Sequence, residues 1–187
     1  MEQNAVRVWD PFVRIFHWSL VLSFTVAYLS GEELETLHNN AGYAVLGLVL
    51  LRVVWGFVGT RHARFRDFIY PPGVIKGFLQ DTFRQRARRY LGHNPAGGAM
   101  IIVMLVSLVL TTVTGIAYYG IEDAAGPLAM LAGSPEWSKE MLEEVHEFFA
   151  NLMVLLVVIH IIGVILEGRL HQENLVKSML NGRKRPE

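Results

Sequence analysis

The sequence contains no cysteine. That excludes disulfides, iron–sulfur clusters and covalently attached c-type haem. It also has no net charge, because 17 Lys and Arg balance 17 Asp and Glu. Charge is scarcest in four apolar stretches, roughly Ile15–Leu29, Ala41–Val58, Met100–Ala117 and Leu152–Leu166. The first residues, Met-Glu-Gln-Asn-Ala-Val-Arg, lack a basic n-region and a cleavage site, so the first stretch is expected to stay attached. There is no internal repeat and no low-complexity tract.

What is present is hydrophobicity: 52% of the residues are apolar. With its flanks, each stretch approaches the ~20 residues that cross a ~30 Å hydrocarbon layer. The sequence predicts an all-α integral membrane protein, a four-transmembrane-helix bundle read as one domain over residues 1–187. The spans fall at roughly 12–30, 38–59, 97–119 and 135–168. Buried helices of a soluble protein are the alternative, and the stretches are too long and too free of charge for it.

Charge placement sets the topology. If the spans alternate, the N-terminus, the second loop and the C-terminal tail share one side with sixteen of the seventeen Lys and Arg; only Lys139 lies opposite. The positive-inside rule then puts both termini of the multi-pass protein in the cytoplasm. The outer side is acidic, with Glu32, Glu33, Glu35, Glu122, Asp123, Glu136, Glu140, Glu143, Glu144 and Glu147.

Local signals mark several ends. Asp10-Pro11 reads as N-cap and first helical residue, and Ser134-Pro135-Glu136 reads the same way. Between spans two and three, Asp67 to Tyr90 mixes basic and apolar residues. It reads as an amphipathic cytoplasmic helix lying at the interface against anionic lipid, or else as a solvated loop. Asn174 to Gly182 reads as a short capped helix, and Arg183 to Glu187 as disordered.

Seven histidines sort by depth. His62, His93 and His171 fall in polar loops and read as solvated, with His93 also a possible proton relay. The other four lie in or at spans, where imidazoles are costly and need partners. His146 and His160 are fourteen residues apart on span four, just under four turns, so they share a face about 21 Å apart along the axis. His17 matches His160 near the cytoplasmic end, and His38 matches His146 near the outer end. Two bis-histidine sites result. With no cysteine or methionine beside them, such pairs suit haem iron and electron transfer, whereas zinc would want more protein ligands. Gly42, Gly47, Gly115 and Gly163 would admit a flat macrocycle or close helix packing. Arg52, charged inside span two, would pair with a haem propionate or snorkel to the interface.

Arg14-Ile-Phe-His17-Trp, His38, Leu51-Arg-Val-Val-Trp-Gly56 and the His146/His160 pair carry a resemblance over nearly the whole chain. So do Gly59-Thr-Arg-His-Ala-Arg-Phe and Tyr90-Leu-Gly-His-Asn-Pro-Ala-Gly-Gly. The chain resembles the prokaryotic cytochrome b561 family, which is similar to the b-type cytochrome subunits of nickel–iron hydrogenase and of formate dehydrogenase. The resemblance implies two non-covalent haems b linking a periplasmic redox partner, a cytochrome c or an oxidoreductase subunit, to membrane quinone. It also implies a quinone site near Asn94, Gly97 and His160, with Pro95 lengthening the spacing by one residue. Read from the residues alone, Asn94 is an ordinary turn residue before proline. Two other functions compete: a superoxide:quinone oxidoreductase, which the acidic outer loops disfavour, and a histidine-based proton or metal transporter. No nucleic-acid partner is expected.

Overall fold

The computed structural model describes residues 5–31 and 33–186. The first four residues, Glu32 of the acidic outer set and Glu187 of the tail lie outside it. The described chain is helical apart from two short strands and the connecting turns. Four helices are long and apolar enough to cross a membrane: α1 (Pro11–Ser30), α2 (Glu35–Val58), α4 (Pro95–Glu122) and α5 (Glu136–Leu170). They match the four predicted spans to within a few residues. Two shorter helices are α3 (Pro72–Phe83) and α6 (Leu175–Asn181).

Several ends form for local reasons. Asp10 Oδ1 accepts the Val13 N–H at 2.9 Å, and Pro11 takes the first helical position, where its missing N–H costs nothing. Asn174 Oδ1 accepts the Lys177 N–H at 2.7 Å, and Gly182 closes α6 at φ 79°. Ser134 departs from expectation. Its hydroxyl donates to the Leu131 carbonyl at 2.7 Å, and α5 begins at Glu136.

The segment expected as one helix over Asp67–Tyr90 is shorter. Pro71 and Pro72 delay its start, since a residue before proline resists the α conformation. Its end is a Schellman closure: Gln85 sits at φ 57°, its N–H donates to Thr82, and the Arg86 N–H donates to Asp81. Arg84, Arg86, Arg88 and Arg89 therefore follow α3 instead of striping it. Phe78 is buried, while Val74, Leu79 and Phe83 are exposed.

The C-terminal tail is ordered where disorder was expected. Strands β1 (Val6–Arg7) and β2 (Arg183–Lys184) pair antiparallel. The Gly182 carbonyl accepts the N–H groups of Val8 and Trp9 at 2.8 and 3.1 Å. Arg185 donates to the carbonyls of His171 and Gln172, and Arg89 to those of Arg185 and Pro186. A two-residue strand carries no hydropathy signal, so composition alone misses it. The two ends of the described chain thus lie side by side.

The chain divides into two compact units. One comprises Met1–Ser19, Leu50–Val103 and Val157–Glu187. Its core gathers Val8, Trp9, Val13 and Ala63, with Trp55, Leu91 and Met179 against them. The other comprises Leu20–Val49 and Met104–Leu156. There Val45, Val49, Leu105, Leu108, Met153 and Leu156 are buried.

Candidate functional site

Within the unit of Leu20–Val49 and Met104–Leu156, the structure brings His38 of α2 and His146 of α5 together. Their ring centroids are 5.9 Å apart and their planes cross at 74°. His38 Nδ1 donates to the Ala27 carbonyl at 2.9 Å, and His146 Nδ1 donates to the Thr111 carbonyl at 2.8 Å. A carbonyl only accepts, so each Nδ1 carries the hydrogen and each Nε2 keeps its lone pair. This is the arrangement of metal-ligating histidines, in which the second nitrogen is tied to a backbone acceptor.

A cavity of ≈ 40 Å³ is lined by His38, Gly42, Tyr43, Thr112, Gly115 and Tyr119, among others. A Cβ on Gly42 or Gly47 would meet nothing within 4 Å, whereas one on Gly115 would lie 2.7 Å from the His146 ring; in the other unit, one on Gly163 would likewise meet nothing. Gly115 thus makes room for an imidazole, and the other three face open space. Among the described residues, no three or more His, Cys, Asp or Glu side chains gather as a metal cluster. Two neighbouring imidazoles that keep their Nε2 lone pairs would suit the iron of a haem, and they do not complete a zinc site.

The other unit contains His17 of α1 and His160 of α5. His17 Nδ1 is buried with no hydrogen-bond partner among the described residues, and the ring stands edge-on to Trp18. Arg52 belongs to the same unit and does not snorkel. It is 3% exposed, donates to the Ala63 carbonyl at 3.1 Å, and lies 5.4 and 5.9 Å from the Phe65 and Phe68 ring centroids. Its Nη1 is buried without a partner among the described residues. That atom fits a carboxylate of a bound group.

Asn94 and Gly97 also lie in this unit, at the start of α4. Asn94 Oδ1 accepts the Gly97 N–H at 2.7 Å, so Asn94 caps the helix and Pro95 follows as its first residue. His93 departs from the solvated reading. Its ring sits between Trp9 and Phe68, at 4.6 and 4.8 Å, with Nδ1 buried and unpartnered among the described residues. Burial, then the charges of Arg52 and Lys184, hold its pKa down at about 3. It is an uncharged imidazole at neutral pH. His62 and His171 are half-buried rather than free in solvent, and His171 lies 3.3 Å from Glu167. Sequence reading also missed the service of Asp10 beyond its cap. Its carboxylate accepts Trp55 Nε1–H at 3.1 Å and the Thr60 hydroxyl at 2.6 Å. Burial pushes this carboxyl up, but the hydrogen bonds from Thr60, Val13 and Trp55 outweigh it and leave the pKa low.

Residues 8–182 match the family model described as prokaryotic cytochrome b561. A probable Ni/Fe-hydrogenase B-type cytochrome subunit of Azotobacter vinelandii is 26% identical over 97% of this chain and 89% of that protein. Its namesake in Rhizobium leguminosarum bv. viciae is 24% identical over 98% and 90%. The probable Ni/Fe-hydrogenase 1 B-type cytochrome subunit of Escherichia coli K12 is 23% identical over 94% and 88%.

Proposed function

The chain belongs to the prokaryotic cytochrome b561 family, and on that premise we propose that it passes electrons between a periplasmic redox partner and the membrane quinone pool. As a b-type cytochrome it carries haem b and takes part in electron transport. In this reading there are two haems, one held by His38 and His146 and the other by His17 and His160. Haem b at each pair supplies a reversible one-electron Fe(III)/Fe(II) couple. The observation that carries the reading is the His38–His146 pair, with rings 5.9 Å apart and both Nδ1–H groups fixed on carbonyls.

The remaining residues take supporting roles. Arg52 offers its free Nη1 to a propionate of the inner haem. Quinone sits beside His160, near Gly97. Asn94 commits Oδ1 to its cap, so toward a quinone carbonyl it offers its amide N–H. Both termini face the cytoplasm in the bacterial inner membrane, on the strength of the positive-inside charge count. α3 then lies along the inner interface, its exposed Val74, Leu79 and Phe83 in the lipid and the arginines after it on anionic headgroups.

On the outer side, acidic residues favour a basic face on a protein partner. The relatives' names favour an oxidoreductase subunit of hydrogenase type for that role. Superoxide is a poorer fit, because Lys139 is already ion-paired with Glu122 and, at 3.6 Å, with Glu136.

The test is spectroscopic. Purified protein reduced with dithionite is expected to show a b-type spectrum with two haems per chain. His146→Ala should remove half the haem and His17→Ala the other half. A colourless protein expressed with ample haem, or a His146→Ala variant that keeps both haems, defeats the reading.

A further inference from the structure

One helix, α4, holds the His146 ring through two positions one turn apart. On α4, a Cβ at Gly115 would lie 2.7 Å from Cε1 and 2.8 Å from Nδ1 of His146. No ordinary side chain tolerates that approach, so glycine alone lets the ring lie against the helix. One turn earlier, the Thr111 carbonyl accepts the Nδ1–H at 2.8 Å. Thr111 is itself buried, and its hydroxyl is tied to the Ser107 carbonyl at 2.8 Å. Opposite, the Ala27 carbonyl fixes His38 by the same kind of bond. The two planes cross at 74° as a consequence of these anchors.

We propose that Gly115 and Thr111 are positioning residues that set the rotation of the His146 imidazole, and that they make the outer haem a crossed-imidazole haem. The inference rests on the reading that His38 and His146 ligate one haem. The electronic effect follows from orbital symmetry. The π orbital of an imidazole stands perpendicular to its ring and mixes with one of two iron d orbitals. Parallel rings act on the same orbital and split the pair. Crossed rings act on one each, leaving the pair nearly degenerate and the ferric g-tensor strongly anisotropic.

Low-temperature electron paramagnetic resonance of the oxidised, detergent-solubilised protein tests this. The expected wild-type spectrum contains a low-field, strongly anisotropic low-spin signal that disappears in His146→Ala. In Gly115→Ala the added methyl forces the ring to turn or withdraw. That signal should move toward the rhombic three-line form or vanish, and the outer haem's midpoint potential should shift while the inner haem keeps its own. Gly77→Ala on α3, where a Cβ meets nothing within 4 Å, should change neither. A wild-type spectrum with rhombic signals alone overturns the proposal without recourse to any variant. So does Gly115→Ala with an unchanged signal and midpoint. If His146→Ala instead retains both haems, it is the ligand assignment that fails.

Discussion

Arg52 carries its charge in the apolar run of α2 and ends in protein, not in water. Its partners are a carbonyl, Ala63, and the faces of Phe65 and Phe68. Replacing it with glutamine should lower the midpoint of the haem proposed at His17 and His160, because a nearby cation disfavours the ferric state. Losing the bond to the buried Ala63 carbonyl should also cost about 1–3 kcal/mol of stability, read from thermal melts. His93 makes a pH prediction. Its folded pKa is depressed to about 3 from 6.5, so the unfolded chain binds the proton more readily. Its contribution is complete above the ordinary histidine value and is lost as pH falls from there toward about 3. Denaturant titrations across that window should show stability falling with acidity, and His93→Gln should flatten the fall. Asp10 and Glu173, with pKa values lowered from 3.8 and 4.5, add their own losses at the acid end of this window, so the His93 effect is read above them. The position of His93 was not legible in the sequence. Its neighbours Trp9 and Phe68 come from distant segments, and nothing in Gly92-His-Asn-Pro announces them.

At the scale of elements, much was legible because it is local. Long apolar runs gave the spans, and side-chain caps at Asp10 and Asn174 gave two starts. What escaped is set by non-local or backbone chemistry: the Schellman end of α3, the Ser134 hydroxyl turned back on Leu131, and the pairing of the tail. The face shared by His38 and His146 was readable as depth, but the crossing of their rings was not, since it depends on a glycine and a carbonyl of α4. The start of α4 separates two roles of Asn94. Asn94→Ala should destabilise by about 1 kcal/mol through loss of the cap. Asn94→Asp keeps an acceptor for the Gly97 N–H but lacks the amide donor. It should retain the melting temperature while quinol-driven haem reduction slows, and equal loss in both variants would reduce Asn94 to a cap.

Across the whole molecule, the unit holding His17, His160 and Arg52 is also the one that the termini close. There Lys184 is buried over the Trp9 ring at 5.6 Å and reaches Glu173 at 3.7 Å, while Arg89 holds the same carboxylate at 2.9 Å. Deleting residues 183–187 removes β2, Lys184 and the Arg185 contacts together. Melts followed at the haem bands should then show the haem proposed at His17 and His160 released at lower temperature, with the one proposed at His38 and His146 little affected; equal release of both would contradict that local effect. The clasp has a further consequence, for biosynthesis. β1 (Val6–Arg7) leaves the ribosome long before its partner β2 (Arg183–Lys184). The Trp9 pocket therefore stays unsealed until Lys184 has emerged, and a chain halted before that point leaves Trp9 uncovered.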